Sequence, residues 1–299
     1  MVYPVWLAGL AALFICLERL WPRRPDQPLL RRGIWSDIGY IIFNSEFLGV
    51  LIGNLSILII ARLDRTLDLA HLKSAFYMGA MAKAPGWLQF IVLLLVFDFL
   101  QWAIHNLLHR VGWLWEFHKV HHSIVDMDWI GDWRFHWVEV VVYRSLLYIP
   151  AAFFGFQGAV MFWVGIVNTA IGHFAHANLK VHMGTLKYVI NTPEMHIWHH
   201  NHPESGPINR NFGITLSIWD WLFGTAYVPP RDPARLGFEG IETYPVQLPG
   251  QWLAPFVALF KRGYSSVERR PGSMPLIGAT RGTDREVVDK LPAQRDRQP

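Results

Sequence analysis

The sequence has a single cysteine and little charge. Cys16 lies inside an apolar run, so the chain has no disulfide framework and no CxxC pair for zinc or redox chemistry. Only 17% of the 299 residues are charged and 52% are hydrophobic, a balance typical of an integral membrane protein. No GxGxxG or P-loop motif follows a predicted strand, which excludes the folds that bind nucleotides through those motifs. Metal chemistry in this chain must therefore use histidine and carboxylate ligands.

The excess of positive charge is confined to the C-terminal end. The formal net charge is +4, and residues 261–299 contain nine Lys or Arg against five Asp or Glu, so the preceding 260 residues are neutral. A basic tail beside anionic lipid headgroups explains this charge, and we expect no nucleic acid as a partner. The tail has no hydrophobic periodicity, and we predict that it is disordered from about residue 265.

The hydrophobic runs predict an all-α, polytopic membrane protein with four or five transmembrane or re-entrant helices. The first run, residues 2–20, has no basic segment before it and no small-residue cleavage site after it, so we interpret it as a retained signal-anchor. Further spans are predicted at residues 38–61 and 87–104. Residues 138–178 should form a helical hairpin, turning near Gly155, that either crosses the bilayer or dips into it.

The distribution of arginines predicts the orientation of these spans. Four arginines in the linker 22–32 favour a cytoplasmic position for that linker. The segment 62–83 then lies on the opposite side, and the histidine-rich segments 105–136 and 173–209 lie on the cytoplasmic face. We expect a bacterial inner-membrane protein with a cytoplasmic, histidine-rich catalytic cap.

Ten of the fourteen histidines fall into four short groups. The groups are HNLLH (105 and 109), HKVHH (118, 121 and 122), HFAH (173 and 176) and HIWHH (196, 199 and 200). Spacings of three and four residues place imidazoles on one face of a helix, where they are able to share an ion. One ion seldom takes more than about six ligands, so ten imidazoles indicate two ions. Imidazole suits iron, zinc, copper and nickel alike, so the ligands do not name the metal.

The order of motifs resembles that of a known family. Between about residues 90 and 227 the chain carries HNLLH, HKVHHS, RFHWVE, TPEMHIWHH and NFGITLSIWDWLFGT. In these it resembles the fatty acid hydroxylase/sterol desaturase superfamily of membrane non-haem di-iron enzymes, which usually have proline where Trp137 stands. The resemblance implies a catalytic domain at 87–230, preceded by transmembrane helices and linkers (1–86) and followed by a cytoplasmic extension (231–299).

The resemblance also implies cofactors and a reaction. It implies two iron ions, with zinc able to replace them in isolated protein, and O2-dependent hydroxylation or desaturation of a lipid C–H bond. The lipid would enter from the bilayer, and electrons would come from a separate transfer protein or reductant. The implied metal ligands are His105, His109, His118, His121, His122, His136, His173, His176, His196, His199 and His200.

Two other functions compete with this one. A membrane zinc hydrolase needs three protein ligands, an open position and a general base such as the Glu of HExxH, and no box here contains that Glu. A multi-haem electron carrier with bis-histidine ligation places single histidines on facing spans within the bilayer, whereas these histidines are clustered at one surface. Both alternatives are therefore weaker than the oxygenase.

Polar residues outside the boxes also invite interpretation. Asp98 lies seven residues before His105, on nearly the same face of the predicted span, and an acid inside a span is usually functional. We predict that its carboxylate accepts a hydrogen bond from a ligand imidazole. Asp220 and Asn211 are predicted to support the site without ligating metal. The remaining histidines are expected at the surface or in the far-side loop: His71, His182 and His202.

Overall fold

The computed structural model describes residues 3–76 and 78–262, which form helices and no strand. The predicted all-α class is confirmed, and the predicted disorder of the C-terminal tail lies outside the described residues. The α-helices in chain order are α1 Tyr3–Leu20, α2 Ile34–Ile41, α3 Leu48–Leu69, α4 Gly86–Arg110, α5 Gly112–His122, α6 Trp137–Phe153, α7 Gly158–His176, α8 Pro193–His199, α9 Ile218–Leu222 and α10 Leu248–Arg262.

Four helical stretches in the described part of the chain are long and apolar enough to cross a membrane. They are Tyr3–Leu20, Ile34–Leu69, Gly86–Arg110 and Gly158–His176. The second is continuous because a π-helical segment, Ile42–Phe47, joins α2 to α3. Such segments often occur at functional sites, and here the Asn44 side chain donates to the backbone oxygens of Trp133 and Phe135. The insertion thus ties a membrane helix to the histidine-rich segment.

The hairpin formed by α6 and α7 extends the full length of the helical bundle. Gly155, with φ of 78°, forms its turn, and the turn contacts the loop between α3 and α4. The backbone N–H of Gly79 donates to Phe153 O (3.0 Å) and that of Met81 to Phe154 O (2.8 Å). Because His105 and His109 lie at the other end of α4, the hairpin reaches from the histidine end to the opposite end. The hairpin therefore runs alongside α4, from its histidine end to the loop that precedes it.

A buried apolar cluster holds the hairpin against α4. Its members lie on α4, α6 and α7 at helical spacing: Leu93, Phe97, Leu147, Ala151, Val160 and Val164. Between membrane helices such a cluster stabilises the contact through van der Waals packing. Packing of the same three helices brings their histidine-bearing ends together.

A buried ion-pair network connects the first linker to the segment before α6. Arg31 donates to Asp37 (2.8 Å) and to Asp128 (2.6 Å), and Arg134 donates to both oxygens of Asp37 (2.5 and 2.8 Å). Removing one member would leave an uncompensated buried charge, which is strongly destabilising. Arg31 is therefore paired inside the protein. The predicted orientation counted it as a free surface charge, and that assumption is wrong for this residue.

The sidedness of the helices remains a prediction that labelling can test. In a Cys16→Ala background, an impermeant thiol reagent added to intact cells should modify Ala70→Cys, in the loop after α3. It should spare Glu204→Cys, which lies close to the third histidine box. Both positions are exposed in the structure, so accessibility alone does not separate them. Labelling of Glu204→Cys from outside would invert the predicted orientation.

Candidate metal centre

Nine histidines converge in two adjacent groups at one end of the bundle. In each group, one ring nitrogen of every member lies within 4.8 Å of those of the others. The first group is His105, His109, His118, His122 and His199; the second group is His121, His176, His196 and His200. The groups touch, because the rings of His122 and His200 stack with centroids 4.5 Å apart. Each group is able to hold one metal ion.

The spacing between ring nitrogens suits metal ligation. Ligands at right angles on an ion with metal–nitrogen bonds of about 2.1 Å lie about 3.0 Å apart, and tetrahedral ligands about 3.4 Å apart. The closest Nε2–Nε2 distances fall in or near this range: 3.0 Å for His105–His118 and His176–His196, 3.1 Å for His109–His122, and 3.2 Å for His121–His176 and His196–His200. His199 Nε2 is buried and has no hydrogen-bond partner within the described residues. The donor set therefore fits two ions.

The two HxxHH boxes divide their ligands between the groups. In HKVHH the outer histidines, His118 and His122, belong to the first group and His121 to the second. In HIWHH the outer pair belongs to the second group and His199 to the first. Residues four apart differ by about 40° around a helix, whereas the residue at i+3 lies about 60° to the other side. The expectation that all histidines of one box share one ion is therefore wrong.

Hydrogen bonds at Nδ1 orient several of these rings. The Nδ1 atoms of three rings lie at hydrogen-bond distance from backbone oxygens, and that of a fourth from a carboxylate: His105 to Phe212 O (2.8 Å), His199 to Arg210 O (2.8 Å), His176 to Gly172 O (2.9 Å) and His118 to Glu139 Oε1 (2.9 Å). A partner at Nδ1 fixes the tautomer, leaves Nε2 free for a metal and raises its basicity. The backbone and α6 thus prepare the ligand atoms.

Burial favours the neutral form of four of these imidazoles. Burial lowers the pKa of His121, His122, His199 and His200 well below the usual histidine value, and the neighbouring imidazoles lower it further. Neutral imidazole is the form that binds metal. Charged imidazoles this close together would repel one another, whereas neutral imidazoles can lie together and bind a metal ion.

Glu139 is a functional residue that the sequence analysis missed. It lies in the first turn of α6 and is buried. Its Oε1 contacts His118, while Oε2 has no hydrogen-bond partner in the described part of the chain. The signal was available, because Glu139 stands in the RFHWVE motif at the start of an apolar helix. Like Asp98, Glu139 is an acid in an otherwise apolar helical segment close to the histidine boxes.

We expect Glu139→Gln to weaken metal binding without unfolding the protein. The glutamine keeps an acceptor for His118 Nδ1 but removes the negative charge, and losing such a partner typically costs roughly 10–100-fold in metal affinity or activity. Chelator competition on purified protein measures the change. Glu204→Gln, at an exposed acid, is the matched control. An unchanged affinity in Glu139→Gln would remove Glu139 from the site.

His136 and His173 lie outside both groups, which corrects their prediction as ligands. His136 caps the N-terminus of α6, where Nδ1 accepts from Val138 N and Nε2 donates to Trp252 O. Both nitrogens of His173 are likewise engaged, Nδ1 with Asp132 (2.9 Å) and Nε2 with the Trp133 indole (3.4 Å). Neither ring offers a free nitrogen to a metal.

Trp137 does not disturb the turn after His136. It is the first residue of α6, a position where proline is favoured because no intrahelical N–H bond is needed there. A tryptophan at this position keeps the same helix start. The departure from the family pattern is therefore structurally neutral.

Asp98 contacts the segment 215–219 and no imidazole. The predicted hydrogen bond from a ligand imidazole to Asp98 is therefore wrong. Its carboxylate accepts from the backbone N–H groups of Thr215 (2.9 Å) and Leu216 (3.2 Å) and from the Trp219 indole (2.7 Å). This segment follows Phe212, whose backbone oxygen lies against His105 Nδ1. Asp98 is therefore a positioning residue one step removed from the ligands.

Asp220 and Asn211 hold the same segment in place. Asp220 accepts from Phe212 N (2.8 Å) and Gly213 N (2.7 Å). The Asn211 side chain donates to Met195 O at 2.8 Å, which ties the segment to α8. Neither residue belongs to a histidine group, in line with the supporting role predicted from sequence.

The remaining histidines follow their predictions with one exception. His71 is exposed in the loop after α3, and the His182 side chain is 82% exposed. His202 was expected at the surface but is buried, with Nδ1 accepting from Glu204 N. The short polar stretch around His202 contains no pattern that predicts this local turn.

A cavity connects the histidines to the apolar interior of the bundle. It has a volume of about 410 Å³. One end is lined by histidines of both groups, including His105, His118 and His121, and the other by apolar side chains such as Phe97 and Leu147. A mainly apolar pocket with a few convergent polar groups is typical of a site for a small molecule or lipid.

Comparison with known proteins identifies the region that carries these features. Residues 90–225 match the fatty acid hydroxylase family model. This segment contains both histidine groups. Residues 90–225 are a fatty acid hydroxylase domain. The resemblance inferred from the motifs is confirmed, and no solved structure gives a significant match.

Relatives of the fatty acid hydroxylase domain include enzymes of lipid metabolism. The chain is 35% identical over 49% of its length to ornithine lipid hydroxylase OlsE from Rhizobium tropici, covering 44% of that protein. It is 30% identical over 54% of its length to alkylglycerol monooxygenase from Xenopus tropicalis, covering 33% of it. A very-long-chain aldehyde decarbonylase, GL1-6 from Oryza sativa subsp. indica, is 26% identical over 43% of the chain and is covered to 21%. The matches thus span less than half of each relative.

Proposed function

We propose that the chain is a membrane-bound, O2-dependent di-iron oxygenase that oxidises a C–H bond of a lipid. The single observation that carries this proposal is the pair of histidine groups at the end of a cavity that continues between membrane helices. Two bound iron ions would supply the oxidising chemistry needed for an unactivated C–H bond. The names of two relatives, a lipid hydroxylase and a monooxygenase, favour hydroxylation over desaturation.

The residues of this chain would serve that reaction in three ways. Nine imidazoles would hold the ions, and Glu139 and backbone oxygens would set the orientation of several of them. The apolar end of the cavity, around Phe97 and Leu147, would accept part of the lipid and exclude water. The helices would let the lipid enter from the bilayer without leaving an apolar environment.

A membrane zinc hydrolase is the alternative that metal analysis addresses. Zinc hydrolysis needs three protein ligands and an open position, whereas these groups offer five and four histidines. Purified protein containing iron and lacking a haem absorption band supports the proposal and excludes a haem carrier. Zinc in the isolated protein has to be replaced by iron before activity is judged, because zinc binds such sites more tightly than Fe(II).

Comparative lipid analysis tests the reaction itself. Lipids from host cells with and without the gene are compared by mass spectrometry, with cultures grown under isotopically labelled O2. A lipid that gains one labelled oxygen atom supports hydroxylation, and one that loses two hydrogen atoms supports desaturation. Cells that express His199→Ala are the control. An unchanged lipid profile from cells containing iron-loaded protein would contradict the proposal.

A further inference from the structure

An arginine lines the cavities between the membrane helices. Arg144 is half-buried on α6, and it makes no hydrogen bond or ion pair with any side chain that the structure describes. Its guanidinium packs on the backbone of α3, where a Cβ added to Gly49 would lie only 2.6 Å from Nη1. A cation inside a membrane bundle is costly and usually marks a substrate or ion pathway.

Arg144 stands where two cavities meet. The first is the cavity that reaches the histidines, and the second, of about 670 Å³, lies between α3, α6 and the start of α7. Both are lined by Gly49, Arg144 and Tyr148. The second cavity is otherwise mostly apolar, with Ile52 and Ile57 on its wall. Ile57 is also 67% exposed on the outside of α3, so this cavity opens towards the lipid phase.

The described acids that line the cavities each contact another residue. Glu139 contacts His118, Asp132 contacts His173, and Asp64, at the far end of the second cavity, pairs with Lys73 at 2.9 Å. Arg144 is the only lysine or arginine among the described residues that line either cavity. Arg144 is therefore the side chain of this lining that is best suited to bind an anionic group.

Arg144 lies on the same helix as Glu139, the acid that contacts His118. Arg144 follows Glu139 by five residues on α6, which corresponds to about 7.5 Å along the axis. The Gln101 side chain lines the cavity between them, one helical turn before His105, and its Nε2 is buried without a partner within the described chain. Both side chains carry hydrogen-bond donors, and both residues line the cavity that leads to the histidines.

We propose that Arg144 binds the anionic group of the lipid substrate, a carboxylate or a phosphate. The planar guanidinium binds such oxygen pairs with two parallel hydrogen bonds. The part of the lipid chain to be oxidised lies in the first cavity beside Phe97 and Leu147, and the remaining apolar part occupies the second cavity. This inference deepens the proposed function and rests on it: the substrate is an anionic lipid that is held by its anionic group.

Lipid binding by purified full-length protein tests the inference without requiring activity. Native mass spectrometry in a neutral detergent compares oleate, dioleoyl phosphatidic acid and the neutral lipid monoolein. The wild type should bind at least one anionic probe about tenfold more tightly than monoolein, the size expected for hydrogen bonds to a charged group. Preference for oleate identifies a carboxylate, and preference for phosphatidic acid identifies a phosphate.

Two variants isolate the role of the guanidinium. Arg144→Gln should abolish the preference for anionic probes. Gly49→Ala keeps the charge but displaces the guanidinium, so it should reduce the preference several-fold, whereas Gly53→Ala on the same helix meets no atom within 4 Å and should retain it. If Arg144→Gln fails to fold, the binding preference of Gly49→Ala alone tests the role of the guanidinium.

Two results would overturn the inference. One is equal binding of monoolein and both anionic probes by the wild type, and the other is a preference that survives in both Arg144→Gln and Gly49→Ala. Metal content is measured on the same samples. A wild type that binds metal but shows no anionic preference refutes the inference alone, whereas a wild type that binds no metal refutes the proposed function.

Discussion

His199→Ala should remove most of the metal from the first histidine group and abolish lipid oxidation. His199 is buried, and its Nε2 has no partner within the described residues. It is also the only member of the first group that the third box supplies. Its loss leaves that group with ligands from α4 and α5 only. We expect bound metal to fall from two ions per chain to one or fewer, with activity below detection.

Metal analysis on purified variants measures this effect. His182→Ala and His71→Ala are the controls, because both histidines are exposed and lie outside the two groups. They should retain metal content and activity. His105→Ala, in the first box, should behave like His199→Ala. Full metal content and turnover in His199→Ala would remove the third box from the first ion's ligands.

Asp98→Asn should destabilise the segment behind the metal centre and slow the enzyme. The carboxylate accepts three N–H donors, from Thr215, Leu216 and Trp219. An asparagine must turn its NH2 group towards at least one of them, so one charge-assisted bond is replaced by a donor–donor contact. Hydrogen bonds to charged groups contribute roughly 1.5–3 kcal/mol each, so we expect a loss of roughly 2–5 kcal/mol in unfolding free energy.

The predicted readouts separate positioning from simple destabilisation. The shifted segment carries Phe212, the acceptor for His105 Nδ1, so metal affinity should fall in protein that is still folded at low temperature. Asp64→Asn, at an acid whose side chain is 51% exposed on α3, should change neither quantity. If Asp98→Asn lowered thermal stability but kept normal metal affinity and turnover, Asp98 would only hold α4 against residues 215–219 and would not position the metal ligands.

Much of the metal centre follows from local spacing in the sequence. HxxxH and HxxHH on helices predict clustered imidazoles, and their number predicts two ions, because these features depend only on helix geometry. The hairpin likewise follows from two apolar runs around Gly155. What spacing cannot give is how two boxes face each other. The exchange of His121 and His199 between groups depends on how α5 and α8 pack, which is a tertiary property.

The errors at His136, His173 and Asp98 share one physical cause. A buried polar group needs a partner, and sequence spacing does not reveal which partner it finds. His136 meets a carbonyl of α10, more than a hundred residues away, and Asp98 meets backbone N–H groups of the 215–216 turn. Glu139 was missed for the converse reason, since its value lies in a contact with α5 that only the packing of α6 creates.

The crossed arrangement of the two HxxHH boxes has an energetic consequence. In the proposed centre, α5 and α8 each supply ligands to both ions. Binding the first ion therefore fixes the two helices in the relative position that the second ion requires, and part of the ordering cost of the second site is met in advance. The affinities of the two ions are then linked by a coupling free energy, and by reciprocity each ion strengthens the other. Partly loaded chains would be disfavoured relative to empty and fully loaded ones.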